Sequence, residues 1–433
     1  MGRRYQQKGG LTVALEDTRT PSGTDTTAAP VGCPAHVPPD QFRHFDYIDD
    51  IESAPTPFDG YLQFRGERPF RSDVSGGFWV LTDAATVRDC FQQPENFSNC
   101  NIGLGYTEQS RRMIPEQLDP PEHGKYRKLL SPFFTPSSAR RLQEGIRAVC
   151  QAELDKFIHR GHCDFVEEFA GRFPQIVFIQ YIMNFPVEEM ETFLGWEHDI
   201  MRHPVEEATA KASAQELWSY LTETIEKRTH NPIDGDMLSE LAQAEIDSRP
   251  ITLDELLDIA WLLFAAGLDT VTQALSFSFY YLAHSPERRD QIVANPEILP
   301  MAVEELLRYC SFVNPVRTAT RDIEFHGANI KAGDRIVPSS VLAARDPAEF
   351  DRPDDIIFER PIKRHMAFGA GVHRCLGAHL ARLELQTAFE EIHRRMPDYE
   401  LRPGVEINFH GAGVLGVDNL PLRWTPTGSG RGH

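Results

Sequence analysis

Residues 368–385 read FGAGVHRCLGAHLARLEL. Gly369 and Gly371 allow a tight turn with backbone angles that other residues avoid. Leu376 to Met396 then carries a helical pattern, and Pro397 stops it. Cys375 is thereby placed at a helix start. The free amides and the macrodipole there favour an anion, so the spacing predicts a thiolate over a thiol. A thiolate is the metal-ligating form, and cysteine is an axial ligand of haem iron in some proteins. Gly377 leaves room for something flat to lie close to the backbone. A cysteine before a helix is, taken alone, most often a buried structural residue. The rest of the chain decides between the two readings.

The chain has 433 residues, of which 41% are hydrophobic, enough for one large domain or two smaller ones. Its net charge of −20 argues against nucleic acid or an anionic membrane as the main partner. Seven cysteines are scattered without a CxxC pair, which suits a reducing cytosol better than a disulfide scaffold. The longest apolar run, Ile259–Leu268, is too short to cross a bilayer. Residues 1–45 lack a signal-peptide core and are rich in Thr, Pro, Gly and Asp; they predict a flexible N-terminal tail. A single domain is expected over residues 46–425, with a short tail at 426–433, in a soluble cytoplasmic protein.

Helical spacing dominates from Pro136 to about Leu221, as in Ser138–Phe157. Strand-like pieces are short: Gly76–Leu81, Asp322–His326, Arg335–Pro338 and Leu420–Trp424. The expected class is mainly α with a small β region (α+β). Thr252 and Glu255 form a capping box, and the helical pattern behind them runs to Ser285, where Pro286 ends it. At 1.5 Å per residue that is a rod of roughly 48 Å. It is apolar almost all round, so it belongs in the core. Gly267, Asp269, Thr270, Thr272 and Gln273 interrupt it. A buried carboxylate is costly unless paired or used, so this notch is expected to face a cavity.

The pattern Phe368-x-x-Gly371-x-His373-x-Cys375-x-Gly377 resembles the haem-binding loop of the cytochrome P-450 monooxygenases. Three more of the family's signatures come in its order. Ala266–Thr270 (AGLDT) resembles the oxygen-activating segment of the central helix, and Glu305-x-x-Arg308 the buried Glu/Arg pair. Asp119-Pro-Pro-Glu-His123-x-x-x-Arg127 resembles the haem-edge segment of bacterial members. The soluble camphor-hydroxylase branch is most alike, through GLDTV (267–271), SFSF (276–279), EELLR (304–308), FHGA (325–328) and NLPLRW (419–424). The likeness spans about residues 46–425.

The resemblance implies a P-450 fold with its long central helix over haem b. Cys375 would be the iron ligand, beside the cofactor-binding residues Phe368 and Gly377. His123, Arg127, Arg317 and His373 would clamp the propionates, since guanidinium forks suit carboxylates. Pro315 stands where the branch has an Asp, which removes one propionate contact. Asp269 and Thr270 would deliver protons to oxygen. Leu262, Ala265, Val313 and Val414 would wall the substrate pocket. Arg360 is the candidate third partner of the Glu305–Arg308 pair. The expected partners are a small apolar substrate, O2, a [2Fe–2S] ferredoxin and its flavoprotein reductase, with no nucleic acid, no membrane and a monomeric enzyme. Lys125, Arg127, Lys128 and Arg374 would form the basic ferredoxin dock. A peroxide-driven peroxygenase and a non-catalytic haem-thiolate protein remain alternatives.

The branch orients a ketone with a Tyr ahead of the Asp-Pro-Pro-Glu turn. Here Arg111 takes that place, Tyr106 comes five residues earlier, and Arg202 replaces a small pocket-side residue. A monoterpenoid or norisoprenoid substrate is therefore expected, with camphor bound poorly. Gly411–Gly416 matches GxGxxG, but a dinucleotide site needs a strand–helix–strand unit, and Pro421 interrupts the residues beyond it.

Overall fold

A mixed sheet forms one side of the protein. Its strands are β1 (Phe42–Arg43), β2 (Phe70–Ser72), β3 (Phe78–Leu81), β4 (Phe97–Ser98), β5 (Arg317–Ala319) and β6 (Arg335–Pro338). They lie in the order β1-β2-β3-β6-β5-β4, and β3 and β6 run parallel with Trp79 opposite Ile336. All four residues of β3 are buried, which is why FWVL is a continuous apolar run. The computed structural model describes residues 33–104, 111–202, 208–361, 365–411 and 413–426. Residues 33–45, assigned above to the tail, pack into this sheet. Gln41 donates to the carbonyls of Pro69 (3.0 Å) and Gly327 (3.1 Å), and Phe45 is fully buried against Tyr61, Phe64, Phe70 and Phe78. The polar composition of the tail hides these two anchors.

The other side is helical. The helices that position the site are α1 (Glu122–Leu130), α2 (Ala208–His230), α3 (Leu253–Leu268), α4 (Thr270–His284), α5 (Leu299–Tyr309) and α6 (Ala378–Arg395). Thr252 and Glu255 form the expected capping box at the start of α3: Thr252 N–H donates to the Glu255 carboxylate at 2.8 Å, and Glu255 N–H to Thr252 Oγ1 at 3.3 Å. The single long rod is two helices meeting at Asp269, whose φ/ψ is −102°/−31°. Hydroxyls compete with the backbone there. Thr270 Oγ1 donates to Ala266 O (3.2 Å), and Thr272 Oγ1 to Leu268 O (3.2 Å) and Ala170 O (2.9 Å). Such back-bonding bends helices. Gly267 sits in the same turn against the Phe178 ring, and a Cβ there would come within 2.5 Å of it. By length and composition residues 253–284 could cross a membrane, but 61% of their apolar window is buried inside the fold.

Two other helical expectations shift. Ser138–Phe157 is divided at Leu142 into Pro136–Arg141 and Gln143–Asp155, the first capped by Thr135. The helix behind Cys375 starts at Ala378, not Leu376, with Gly377 as its N-cap. In the core, Phe279 of α4 packs on Phe165 (4.6 Å between centroids) and on Phe389 of α6 (5.0 Å). Each such aromatic pair adds roughly 0.5–1.5 kcal/mol beyond burial. After α6 the chain closes with a hairpin, β7 (Phe409–His410) and β8 (Gly416–Val417). Gly411 and Gly413–Gly416 of the GxGxxG stretch belong to this hairpin, and no helix follows them among the described residues. The His410 ring lies so close to Gly416 that a Cβ would fall 1.9 Å from it, so Gly416 serves packing and binds no phosphate.

Candidate active site

The cysteine loop is a tight backbone cage. Gly369 and Gly371 have φ of 66° and 70°, and a Cβ on Gly371 would lie 2.1 Å from the Phe91 carbonyl oxygen. The loop closes through Cys375 N–H to Phe368 O at 2.9 Å. Phe368 is held from outside: the Arg382 guanidinium stacks over its ring at 4.4 Å. Arg382 is fixed in turn by Glu304, at 2.5 and 2.8 Å, and His365 bonds the same carboxylate at 3.1 Å. Burial pushes the Glu304 carboxyl up, but the bonds from Arg382 and His365 outweigh it and hold the group at about 2. The sequence reading missed Glu304, Arg382 and His365; the signal was the first Glu of EELLR, one residue before the recognised pair.

Cys375 is exposed to a solvent-sized probe, yet burial by surrounding protein raises its thiol, a combination that marks an interior cleft. The Gly377 N–H opposes that shift, Glu116 adds to it, and Arg127 and Arg374 oppose it. Burial and the helix-start amide therefore pull this thiol in opposite directions. Beside it, a Cβ on Gly377 or on Gly369 would meet nothing within 4 Å. That open face is what a flat ring needs.

One edge of this space gathers the four expected clamp residues. His123, at the start of α1, and His373 have ring centroids 4.2 Å apart. Burial lowers His373 to about 3, with help from the neighbouring His123, Arg317 and Arg127. Burial and Arg127 likewise lower His123, against Asp119. Arg317 is buried over the Phe91 ring and bonds only the adjacent Val316 carbonyl among the described residues. Arg127 donates to the carbonyl of Arg374. The Nε2 atoms of both histidines and Oδ1 of Asn99 are buried without a hydrogen-bond partner. A buried group left unpaired costs about 1–3 kcal/mol. Four donors around two orphaned nitrogens form a set that two carboxylates complete, which fits the propionates of haem b beside a free cysteine. Sequence reading did not single out Asn99 or Glu116. Asn99 Nδ2 donates to Glu116 Oε1 at 2.8 Å and lies 3.4 Å from His373 Nδ1. No motif marks either.

At the bend, α3 and α4 carry Leu262, Ala265, Asp269 and Thr270, all half-buried. Val313 and Val414 pair with each other through an isolated antiparallel bridge. It is anchored by Asn314 N–H to Gly413 O (2.7 Å) and Leu415 N–H to Phe312 O (2.9 Å). The hairpin that carries Val414 is tied to the helix after the bend where the Val417 N–H donates to Gln273 Oε1 at 2.9 Å. The four residues expected to form the basic dock differ in their surroundings. Lys125 is engaged by Glu122 (2.8 Å) and Asp247 (2.5 Å), and Arg127 turns inward to the clamp. Lys128 and Arg374 remain exposed.

Residues 180–396 match the family model described as cytochrome P450. The probable cytochrome P450 127A1 of Sinorhizobium fredii is 34% identical over 90% of this chain and 96% of its own length. The steroid C26-monooxygenase of Mycolicibacterium smegmatis is 31% identical over 85% and 93%. The crystal structure of CYP101J2 superposes with a TM-score of 0.83 at 29% identity, over 91% of this chain and 99% of that one. The open face at Cys375, the clamp at its edge and these likenesses agree: the chain belongs to the cytochrome P450 family, as a haem b monooxygenase similar to the camphor-hydroxylase branch.

Proposed function

We propose that the protein hydroxylates a small apolar terpenoid or norisoprenoid, using O2 and electrons from a [2Fe–2S] ferredoxin served by a flavoprotein reductase. The observation that carries the reading is the half-buried set Leu262, Ala265, Asp269 and Thr270 at the helix bend, with the hairpin that carries Val414 tied to the adjoining helix through Gln273. Haem b, held by Cys375 and the four-donor clamp, supplies oxygen activation and transfer when bound. The chain supplies the rest. The aliphatic wall removes substrate surface from water at about 25 cal/mol per Å2 and excludes water from the reacting bond. Thr270 donates to Ala266 O through a long 3.2 Å bond, which leaves its oxygen free to accept and its proton easy to release. Asp269, next in the chain, moves protons to it.

Arg111 supports a substrate other than camphor. It occupies the ketone-orienting place, but its guanidinium lies 3.6 Å over the Trp218 ring and pairs with Asp254 (3.4 Å) and Asp258 (3.6 Å). Tyr106 and the Arg202 side chain lie outside the described residues. A missing hydrogen bond to one substrate oxygen costs about 0.5–1.5 kcal/mol and loosens orientation. Titration of the ferric protein with cineole-type and ionone-type compounds is expected to give full spin shifts, and camphor a partial one. Tight camphor binding with one dominant product, or a preference for long-chain fatty acids, would overturn the substrate class.

Thr270→Ala is expected to keep consuming reductant and O2 while yielding mostly peroxide or water. Proton-transfer groups contribute about 10²–10⁴ in rate, so product per reductant should fall at least tenfold. Unchanged coupling removes Thr270 from the relay. Lys128→Glu and Arg374→Glu are each expected to slow reduction by ferredoxin by roughly tenfold, equivalent to ~1.4 kcal/mol. Added salt should slow the native protein in the same direction. Salt-independent reduction argues against this dock.

A further inference from the structure

Among the described residues, one side chain holds the carboxylate of Asp269. Gln273, one turn along α4, donates from Nε2 to Asp269 Oδ1 at 2.8 Å. Its Oε1 accepts from Val417 N–H, in β8, at 2.9 Å. Gln273 is completely buried, and no cation pairs with Asp269 among the described residues. The two bonds fix the amide in one orientation, because its nitrogen end alone can face a carboxylate and its oxygen end alone an N–H. The same hairpin carries Val414, three residues before Val417, which the proposed function places in the substrate wall.

We propose that Gln273 is the positioning residue of the proton relay. It pins Asp269 by Oδ1, leaves Oδ2 to exchange protons, and ties that carboxylate to the hairpin that touches substrate. Each proton leaves the Asp269 carboxyl from Oδ2 toward Thr270 Oγ1, and a proton from solvent restores it, so the group ends unchanged. A substrate that seats Val414 correctly thereby also seats the acid, which joins binding to coupling. The inference rests on the reading of Asp269 and Thr270 as the relay. A purely structural tie would need the Val417 bond alone; the amide end turned to the carboxylate is what points to positioning.

The test uses the haem-loaded protein and Gln273→Glu, which keeps the size and the acceptor for Val417. Ionised, the new carboxylate cannot donate to Asp269; protonated, it donates again, and burial beside a second carboxylate favours the protonated form. Product per reductant is expected to be near native at low pH and to fall as pH rises through the titration of the pair, while the native protein does not show this fall. Ionisable groups on the packed elements include Glu167, Glu168, Glu305, Glu384, His393 and the His410–Asp418 pair, and all are shared with the native control. Gln273→Leu should lose coupling at every pH, up to about 10²-fold, the cost of misplacing a reacting group by about 1 Å. Both variants should keep the thiolate-type CO spectrum and the native substrate spin shift, which separates loss of positioning from loss of fold. If the leucine variant does not fold, the pH curve of the glutamate variant decides alone. Asp269→Asn is the third arm. If it uncouples while Gln273→Glu shows native, pH-independent coupling, the positioning role is overturned and the relay stands. If Asp269→Asn couples like the native protein, the relay reading fails and takes this inference with it.

Discussion

Cys375→Ala is expected to remove the thiolate-type spectrum of the reduced, CO-bound protein and to abolish hydroxylation. The effect should be chemical rather than structural. The loop closes through the backbone N–H of residue 375 to Phe368 O, and α6 is capped at Gly377, so neither needs the sulfur. Phe368 stays clamped by Arg382, and Arg382 by Glu304. The four-donor clamp is also untouched, so some haem should remain bound through its carboxylates. The loss is that of the electron-rich ligand that favours O–O cleavage. Product formation should fall by about 10³ or more, a part of the ~10⁶-fold or greater acceleration that enzymes supply. A variant that keeps the thiolate-type spectrum shows that another residue is the ligand.

Local features with a backbone cause are legible in the sequence. The capping box at Thr252 and Glu255 is present, because two side chains three residues apart settle it without tertiary help. The positive φ angles at Gly369 and Gly371 follow from glycine itself. Strands Arg335–Pro338 and Pro421–Arg423 lie where β-branched and apolar runs put them. The features that escape depend on competition that one-dimensional patterns do not rank. The break at Asp269 comes from hydroxyls bonding back to carbonyls within an otherwise continuous apolar period. The upward pull on the Cys375 thiol reflects enclosure by distant segments, which the local sequence does not reveal. Lys125 looks free in the sequence, but Asp247, 122 residues away, neutralises it.

The clamp shows the limit most clearly. Resemblance alone groups His123, Arg127, Arg317 and His373, since only the first two share a helix and the others come from distant positions. The geometry supplies a reason independent of likeness. The two imidazoles lie with centroids 4.2 Å apart and planes tilted by 53°, with orphaned Nε2 atoms, a set that carboxylates complete. Gln273 is the reverse case. It is visible in the sequence as a polar residue in an apolar helix, and its role becomes readable only with Val417 and Asp269 on its two ends.

Glu305→Ala is expected to be the most destabilising single substitution away from the haem ligand. The Glu305 carboxylate serves two guanidinium groups. Oε1 accepts from Arg308 Nη2 (2.8 Å), Arg360 Nε (3.0 Å) and Ile357 N–H (2.9 Å), and Oε2 from Arg308 Nε at 2.9 Å. Arg360 is thus the third partner that the resemblance suggested. All three side chains are at most 8% exposed. Arg308 also donates to the carbonyls of Ala344 (2.7 Å), Pro353 (2.9 Å) and Asp355 (3.1 Å), so it stitches α5 to the segment leading toward the cysteine loop. Removing one member of a buried pair leaves an uncompensated charge and costs about 3–5 kcal/mol. Here two cations lose their shared anion, so the upper part of that range applies. Glu305→Gln keeps the side chain's size and one acceptor oxygen and should cost clearly less. Denaturant unfolding of the haem-loaded protein, tracked by far-UV signal and by haem release, measures both. Haem release should come earlier in the alanine variant, because residues 344–360 brace the approach to Cys375. Replacing Glu305, Arg308 and Arg360 together with apolar residues of similar volume should restore much of the loss, since a buried ion pair contributes little net stability against a well-packed apolar substitute. If Glu305→Ala unfolds at the native denaturant concentration, the triad carries no structural load. If the triple variant is no better than the single one, the backbone carbonyls held by Arg308, rather than its charge pairing, are what the segment requires.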